Sequence, residues 1–371
     1  MKINILLGAF YPVPTLLGGA VEKMWLVLAE EFARLGHEVN MISRLYHDLP
    51  ESEKTAGVNH IRIKGYSMPR SGLKIKLLDL FYTLRARKVI PKADLTVTNT
   101  FWAPILLPKR AGCLYVDVAR MPKGQIRLYK KAARLRANST PVLKAIRHEL
   151  TPGNHSRAQL VPNPLPFRIE DYPNPAEKEK RILYVGRVHP EKGIDILLEA
   201  WNFLPENLKT EWTLDIVGPW NSEAGGGGEA YHTELTDRYP MAGVNWVGPV
   251  FDTEKLHAYY RRATLFIYPS IAEKGETFGL APLEAMAWGC VPIVSSLECF
   301  QDFIIDGING QRFDHRSSAP SQNLAGCIRQ LAEGNIDSMR EKALEVRQTH
   351  SVEKIAEAFL QDFSSVTSNQ K

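Results

Sequence analysis

The sequence lacks any paired-cysteine spacing. Cys113, Cys290, Cys299 and Cys327 are scattered, with no C-x-x-C among them. That leaves no zinc or disulfide framework and suits reduced thiols in a cytosolic protein. No apolar run approaches the roughly 18 residues that a membrane-spanning helix needs. The opening MKINILLGAFYPV has one lysine and no small-residue cleavage site, and reads as a first strand rather than a signal peptide. No G-x-G-x-x-G follows that strand, which weakens a nicotinamide-cofactor reading. The glycine-rich residues 221–228 lack the Lys-Ser/Thr of a P-loop and read as a mobile loop.

What is present is a chain of 371 residues, 44% hydrophobic, long enough for two domains with separate cores. Apolar runs at 3–7, 37–43, 59–63, 95–98, 113–118, 181–186, 212–217, 244–247 and 265–268 read as strands. Helical patterns alternate with them, as in a doubly wound α/β sheet. Helices are expected at 73–89, 124–136, 141–149, 256–263, 319–333 and 337–349, and a last one at 352–363. The prolines and charges of 162–180 mark the best linker. Charge divides unevenly. Residues 1–171 hold 27 Lys and Arg against 13 Asp and Glu, and the remainder holds 19 against 28. The basic excess, densest in 70–92 and 120–147, suits solvated helix faces and an anionic partner equally. That partner is a membrane surface or a phosphate-bearing acceptor. Nucleic acid fits less well, because no stacking aromatics interleave the basic runs.

Residues 269–296, PSIAEKGETFGLAPLEAMAWGCVPIVSS, carry the chemistry. Pro282 fits only the first turn of a helix, so a helix starts near Leu280 and ends at Gly289, before the strand Val291 to Val294. A helix N-terminus suits an anion such as a diphosphate, and Gly279 lets the backbone approach it. A glycosidase needs two carboxyl groups about 5 to 9.5 Å apart. Eight helical residues rise about 12 Å, so Glu276 and Glu284 read as two contacts along one extended ligand. Arg187 and Lys192 flank the turn after the strand at 181–186, where two cations offset a diphosphate's charge.

The string from Glu276 through Phe278-Gly279-Leu280 to Glu284 resembles the signature of retaining glycosyltransferases of family 4. Gly18-Gly19 before GHEV, Gly186-Arg187 followed by EKG, VPNP and IIDGINGQRF resemble further segments of that family. The resemblance implies a GT-B fold of two Rossmann-like domains facing across a cleft. The first would be the acceptor side (1–165) and the second the nucleotide-sugar-binding domain (166–350). A C-terminal helix (351–371) would pack back on the first. It implies that Gly18, Gly19, Gly186, Val250, Phe278, Gly279, Leu280 and Glu284 contact the nucleotide-sugar, Glu284 through the ribose. Glu276, Arg187 and Lys192 would then act at the reacting centre. The implied reaction is retaining transfer from a UDP- or GDP-type sugar to a glycan or lipid-linked acceptor in surface polysaccharide assembly. It would run without a cofactor, in the cytoplasm or at the inner face of the membrane. The absence of any D-x-D argues against a metal site of the other large glycosyltransferase fold.

One departure stands out. Family members often carry a histidine after the strand matching 113–118, and here the stretch is YVDVARMPKG. Asp117 is the nearest polar candidate for that contact. Three other readings share the motifs: a nucleotide-sugar epimerase, a sugar phosphorylase, for which no pyridoxal lysine is evident, and a non-catalytic nucleotide-sugar binder.

Overall fold

A computed structural model describes residues 1–17, 19–69, 71–168, 178–239 and 242–368. The chain divides into two compact units. Met1–Arg168 together with the segment from His350 onward forms the first, and Ile169–Thr349 the second. The boundary segment 169–177, inside the expected linker, lies outside the described residues, as does Gly18.

The first unit is built on β1 (Lys2–Leu6), β2 (Glu38–Leu45), β3 (Ser52–Thr55), β4 (Val58–Lys64), β5 (Leu95–Thr98), β6 (Cys113–Val118), β7 (Ala132–Ala137) and β8 (Ala158–Leu160). Their order in the sheet is β3-β4-β2-β1-β5-β6-β7-β8. Every pairing is parallel except the β3–β4 hairpin. The central strands are buried along most of their length because helices cover both faces, and the polar residues among them, such as Asn4, Asn40 and Thr96, are hydrogen-bonded within the sheet. On one face the helix Ala20–Arg34 presents Trp25 and Phe32 to Phe359 and Phe363 of the C-terminal helix Val352–Ser368. Tyr115 of β6 donates to Asp362 at 2.8 Å, and Arg134 of β7 pairs with the same carboxylate. On the other face the helix Gly72–Val89 buries Tyr82 and Ala86 against Leu6, Ile42 and Ile90.

The second unit has β9 (Glu179–Val185), β10 (Thr213–Val217), β11 (Val244–Gly248), β12 (Ala263–Tyr268), β13 (Val291–Ser295) and β14 (Gln311–Phe313), in the order β11-β10-β9-β12-β13-β14. All pairings are parallel. The chain leaves β9 to build β10 and β11 on one side, then returns to build β12 on the other. The C-terminal ends of β9 and β12 are therefore the switch point, where doubly wound sheets form a crevice.

One expected helix is absent. Residues 124–136 form a short 3-10 turn, Gln125–Leu128, and then strand β7. The run KKAARLRA has helical propensity, but Ala132–Ala137 completes the parallel sheet beside β6, and tertiary pairing overrides local preference. Its apolar alternation is masked by Arg136, which is wholly buried. The expected helix at 337–349 is two helices, Asp337–Leu344 and Val346–Thr349. Residues 221–228 are tied down rather than loose: a 3-10 turn at Ser222–Ala224 is capped by Asn221, and Gly227 N–H donates to Val188 O at 2.8 Å.

Candidate active site

The site is assembled at the ends of β9 and β12. Gly186 N–H bonds Val217 O at 2.9 Å, which keeps the exit of β9 against β10. Gly218 has φ 148° and would drive a Cβ into the Gly186 carbonyl, so no larger residue fits this junction. The next residue, Arg187, is 43% exposed at its side chain. Its guanidinium donates to Gly225 O and to Glu191 Oε1, each at 2.7 Å.

A 3-10 turn, Pro190–Lys192, then delivers Lys192 inward. Gly193 ends that turn in the left-handed region, φ 67°, and seeds the helix Ile194–Phe203. A Cβ at Gly193 would meet the Pro269 carbonyl. Ile271 N–H and Ser270 Oγ both donate to Glu191 O. The loop after β9 is thus stitched to the loop after β12, and Lys192 meets Glu276 across that seam.

Lys192 Nζ lies 2.7 Å from Glu276 Oε2, and the two side chains are only 10% and 12% exposed. Tyr268, the last residue of β12, donates its hydroxyl to the same Oε2 at 3.1 Å. Lys192 Nζ also sits 5.3 Å from the centre of the Tyr268 ring, which is stacked on Tyr184 of β9. A carboxylate, an ammonium and a phenol are therefore held together by three segments distant in sequence. Burial pushes the Tyr268 hydroxyl well above its ordinary range, reinforced by the adjacent Glu276 carboxylate, so it acts as a donor and not as a base.

Gly279 then caps the helix Leu280–Ala287 at φ 91°, and its missing Cβ makes room for Phe300. The helix begins at Leu280, where Pro282 placed it. Glu284 lies one turn into this helix and is 6% exposed. Phe278 is not a ligand surface: its ring is 2% exposed and stacks on Phe303 at 5.2 Å. What Phe278 can offer a ligand is its backbone.

Val250 is half-buried and stands two residues beyond β11, away from the Lys192–Glu276 pair in the sheet order. Strand β11 itself carries part of an aromatic cluster that no local spacing marks, and Trp220 of that cluster faces Gly248. Trp220 stacks on His232 at 4.2 Å, His232 meets Trp246 at 4.6 Å, and Trp220 Nε1 donates to Glu229. The three residues come from a loop, a helix and a strand, so no local spacing announces them.

Gly19 and Asp117 belong to the first unit. Gly19, at φ 111°, caps the helix Ala20–Arg34, and the Glu22 carboxyl folds back over it. Burial pushes Glu22 up to about 7, although its own backbone N–H and Arg120 pull the other way. Glu22 is a polar group beside Gly19 that no motif in the sequence marks. Asp117 has another task than the one expected. Its side chain is 0% exposed, Oδ1 pairs with Arg136 at 2.7 Å, and Oδ2 accepts from Trp25 Nε1 at 2.8 Å. Arg136 in turn bonds Val161 O and Asn163 Oδ1. With both oxygens committed inside the core, Asp117 has no face to offer a sugar. It anchors β7 and the 161–163 segment.

No cluster of three or more His, Cys, Asp or Glu suited to a metal occurs among the described residues.

Two parallel doubly wound units with this switch-point site define the GT-B class of glycosyltransferase fold. Known structures agree. The chain superposes on a sucrose-phosphate synthase from Thermosynechococcus elongatus with a TM-score of 0.78 at 19% identity, covering 100% of both chains. It superposes on Anabaena HepE in complex with UDP and glucose with a TM-score of 0.71 at 18% identity, covering 98% of this chain and 100% of that one. These likenesses establish the fold.

Residues 168–345 match the family model described as glycosyl transferases group 1. The chain is 32% identical over 189 residues to a lipopolysaccharide 1,2-N-acetylglucosaminetransferase of Salmonella typhimurium, covering 50% of this chain and 48% of the relative. It is 33% identical over 130 residues to the lipopolysaccharide core biosynthesis mannosyltransferase LpcC of Rhizobium leguminosarum bv. viciae, covering 34% of each. The chain thus spans about half the length of the first relative and a third of the second.

Proposed function

We propose that the protein transfers a sugar, with retention of configuration, from a nucleoside-diphosphate sugar of UDP or GDP type to a glycan or lipid-linked acceptor in surface polysaccharide assembly. The observation that carries this reading is the buried Lys192–Glu276 pair at the switch point, with Arg187 on the same loop and the Gly279 helix start on the other. Cleaving a sugar–phosphate bond leaves negative charge on the diphosphate and positive character on the sugar. Arg187, Lys192 and the N–H groups at Gly279 and Leu280 stabilise the first. Glu276 holds sugar hydroxyls beside the reacting carbon, and Glu284 holds the ribose. Gly186 and the backbone of Val250 complete the donor contacts of the second unit. The leaving phosphate takes the acceptor's proton on the face it departs from. The relatives' lipopolysaccharide names and the UDP of the HepE complex support the substrate class. The basic first unit supports work at the inner face of a membrane.

A thermal-shift panel of nucleotides and nucleotide-sugars tests the donor. One diphosphate nucleotide should raise the melting temperature by mass action. Arg187→Ala should weaken that nucleotide by about 10-fold to 100-fold, the range expected for a lost charge-assisted contact to phosphate. No stabilisation of the unaltered protein by any nucleotide would overturn the reading. Stabilisation without donor turnover would favour a non-catalytic binder.

Because Arg187 and Lys192 supply the cations, transfer should proceed at full rate in EDTA. Loss of activity in EDTA, restored by Mg²⁺ or Mn²⁺, would remove metal independence from the proposal.

A further inference from the structure

The helix Gly72–Val89 has two apolar faces where a surface helix needs one. The inner face carries Tyr82 and Ala86 into the first unit's core. The outer face carries Leu73, Leu77, Phe81 and Leu84, spaced four, four and three residues apart and so aligned in one stripe. They are 80%, 50%, 45% and 40% exposed. At about 100° per residue, Lys74 borders the Phe81 side of the stripe, Lys76 and Arg87 border the other, and Lys88 continues the stripe's own line one turn beyond Leu84. All four are exposed. Past the helix end, Arg110 donates to the carbonyls of Arg87, Lys88 and Ile90, which fixes a further cation there. Leu84, Arg87, Lys88 and Arg110 line a surface recess.

The helix has one carboxylate, Asp79, and it faces inward. It is 5% exposed and accepts from the N–H groups of Phe101 and Trp102. That bond, with Trp102 Nε1 donating to Lys76 O, holds the helix with its stripe outward. No helix of the described residues is long and apolar enough to cross a membrane.

We propose that this outer face is a docking surface for an anionic lipid bilayer, with the helix lying in the plane of the interface. The four apolar side chains enter the headgroup–acyl boundary, and the bordering cations meet headgroup phosphates. Charge selects this occupant over a second copy of the chain. A two-fold contact through the stripe would bring its cations against one another, with no exposed carboxylate on the helix to offset them. The inference deepens the membrane part of the proposed function, and lipid binding is measured without turnover, so the two readings fail separately.

Co-sedimentation of the full chain with vesicles of phosphatidylethanolamine and phosphatidylglycerol tests it, with pure phosphatidylcholine vesicles as the control. The chain should pellet with the anionic vesicles and not with the control. Leu77→Ser with Phe81→Ser should lower partitioning by at least about 10-fold, since each buried apolar side chain contributes on this scale. Lys74→Gln, Arg87→Gln and Lys88→Gln together should lower it by roughly 100-fold, each cation near an anionic surface contributing about fivefold. All five positions are exposed, so the variants should melt near the unaltered protein. The proposal is overturned if the chain ignores anionic vesicles or if both variants bind as the parent does. It is also overturned if the serine variant changes the oligomeric mass and leaves lipid binding intact, which would assign the stripe to self-association.

Discussion

Replacing Glu276 by glutamine should reduce release of nucleoside diphosphate from the donor by about 10²-fold to 10³-fold, the scale of losing one well-placed polar group at a reacting centre. Affinity for the nucleotide itself should change little. Glutamine keeps the shape of the side chain but removes the charge that Lys192 and Tyr268 both address at Oε2. Lys192→Ala should behave differently, losing donor affinity as well as rate, because its ammonium would serve the diphosphate in the ground state too. Steady-state rates set beside nucleotide thermal shifts separate the two patterns. If Glu276→Gln keeps most of the activity, Glu276 is only the partner that neutralises a buried lysine, and the sugar contact must be sought elsewhere.

Asp117→Ala should unfold the first unit more easily while leaving nucleotide binding intact. Its partner Arg136 has no solvent exposure, and removing one member of a fully buried pair costs about 3–5 kcal/mol because the other charge is left uncompensated. For a unit of this size that lowers the melting temperature on the order of 10 °C. The Trp25 indole would lose its acceptor as well. A double replacement, Asp117→Leu with Arg136→Met, should recover much of the loss, because no buried charge then remains. Calorimetry on the three proteins, with and without nucleotide, decides the matter. An Asp117→Ala protein that melts like the parent but has lost turnover would restore Asp117 as a catalytic residue.

These two carboxylates show how differently sequence legibility works for site and core. Glu276 could be found because its neighbours are informative. Gly279 and Pro282 mark a helix start, and Arg187 and Lys192 follow a strand at a glycine. Asp117, in sequence, is only the nearest polar residue to a gap in a pattern. Nothing in YVDVARMPKG announces that an arginine 19 residues away points at it. The same arginine hid strand β7, because a buried cation breaks the apolar alternation by which strands are read.

The sequence by itself determined the alternation of apolar strands and amphipathic helices, the start of the helix at Leu280, and the charge imbalance between the halves. Each of these is written in local spacing, where backbone geometry and side-chain type act over a few residues. Tertiary structure alone decided that Lys192 and Glu276 meet across 84 positions of sequence, that Asp117 is occupied, and that Phe278 is core. It alone decided that the helix Gly72–Val89 hides its one carboxylate and turns a leucine stripe outward. Those facts depend on which strands pair and which helix face the sheet accepts. Pairing is set by the sum of many long-range burials, and no short window of residues contains that sum.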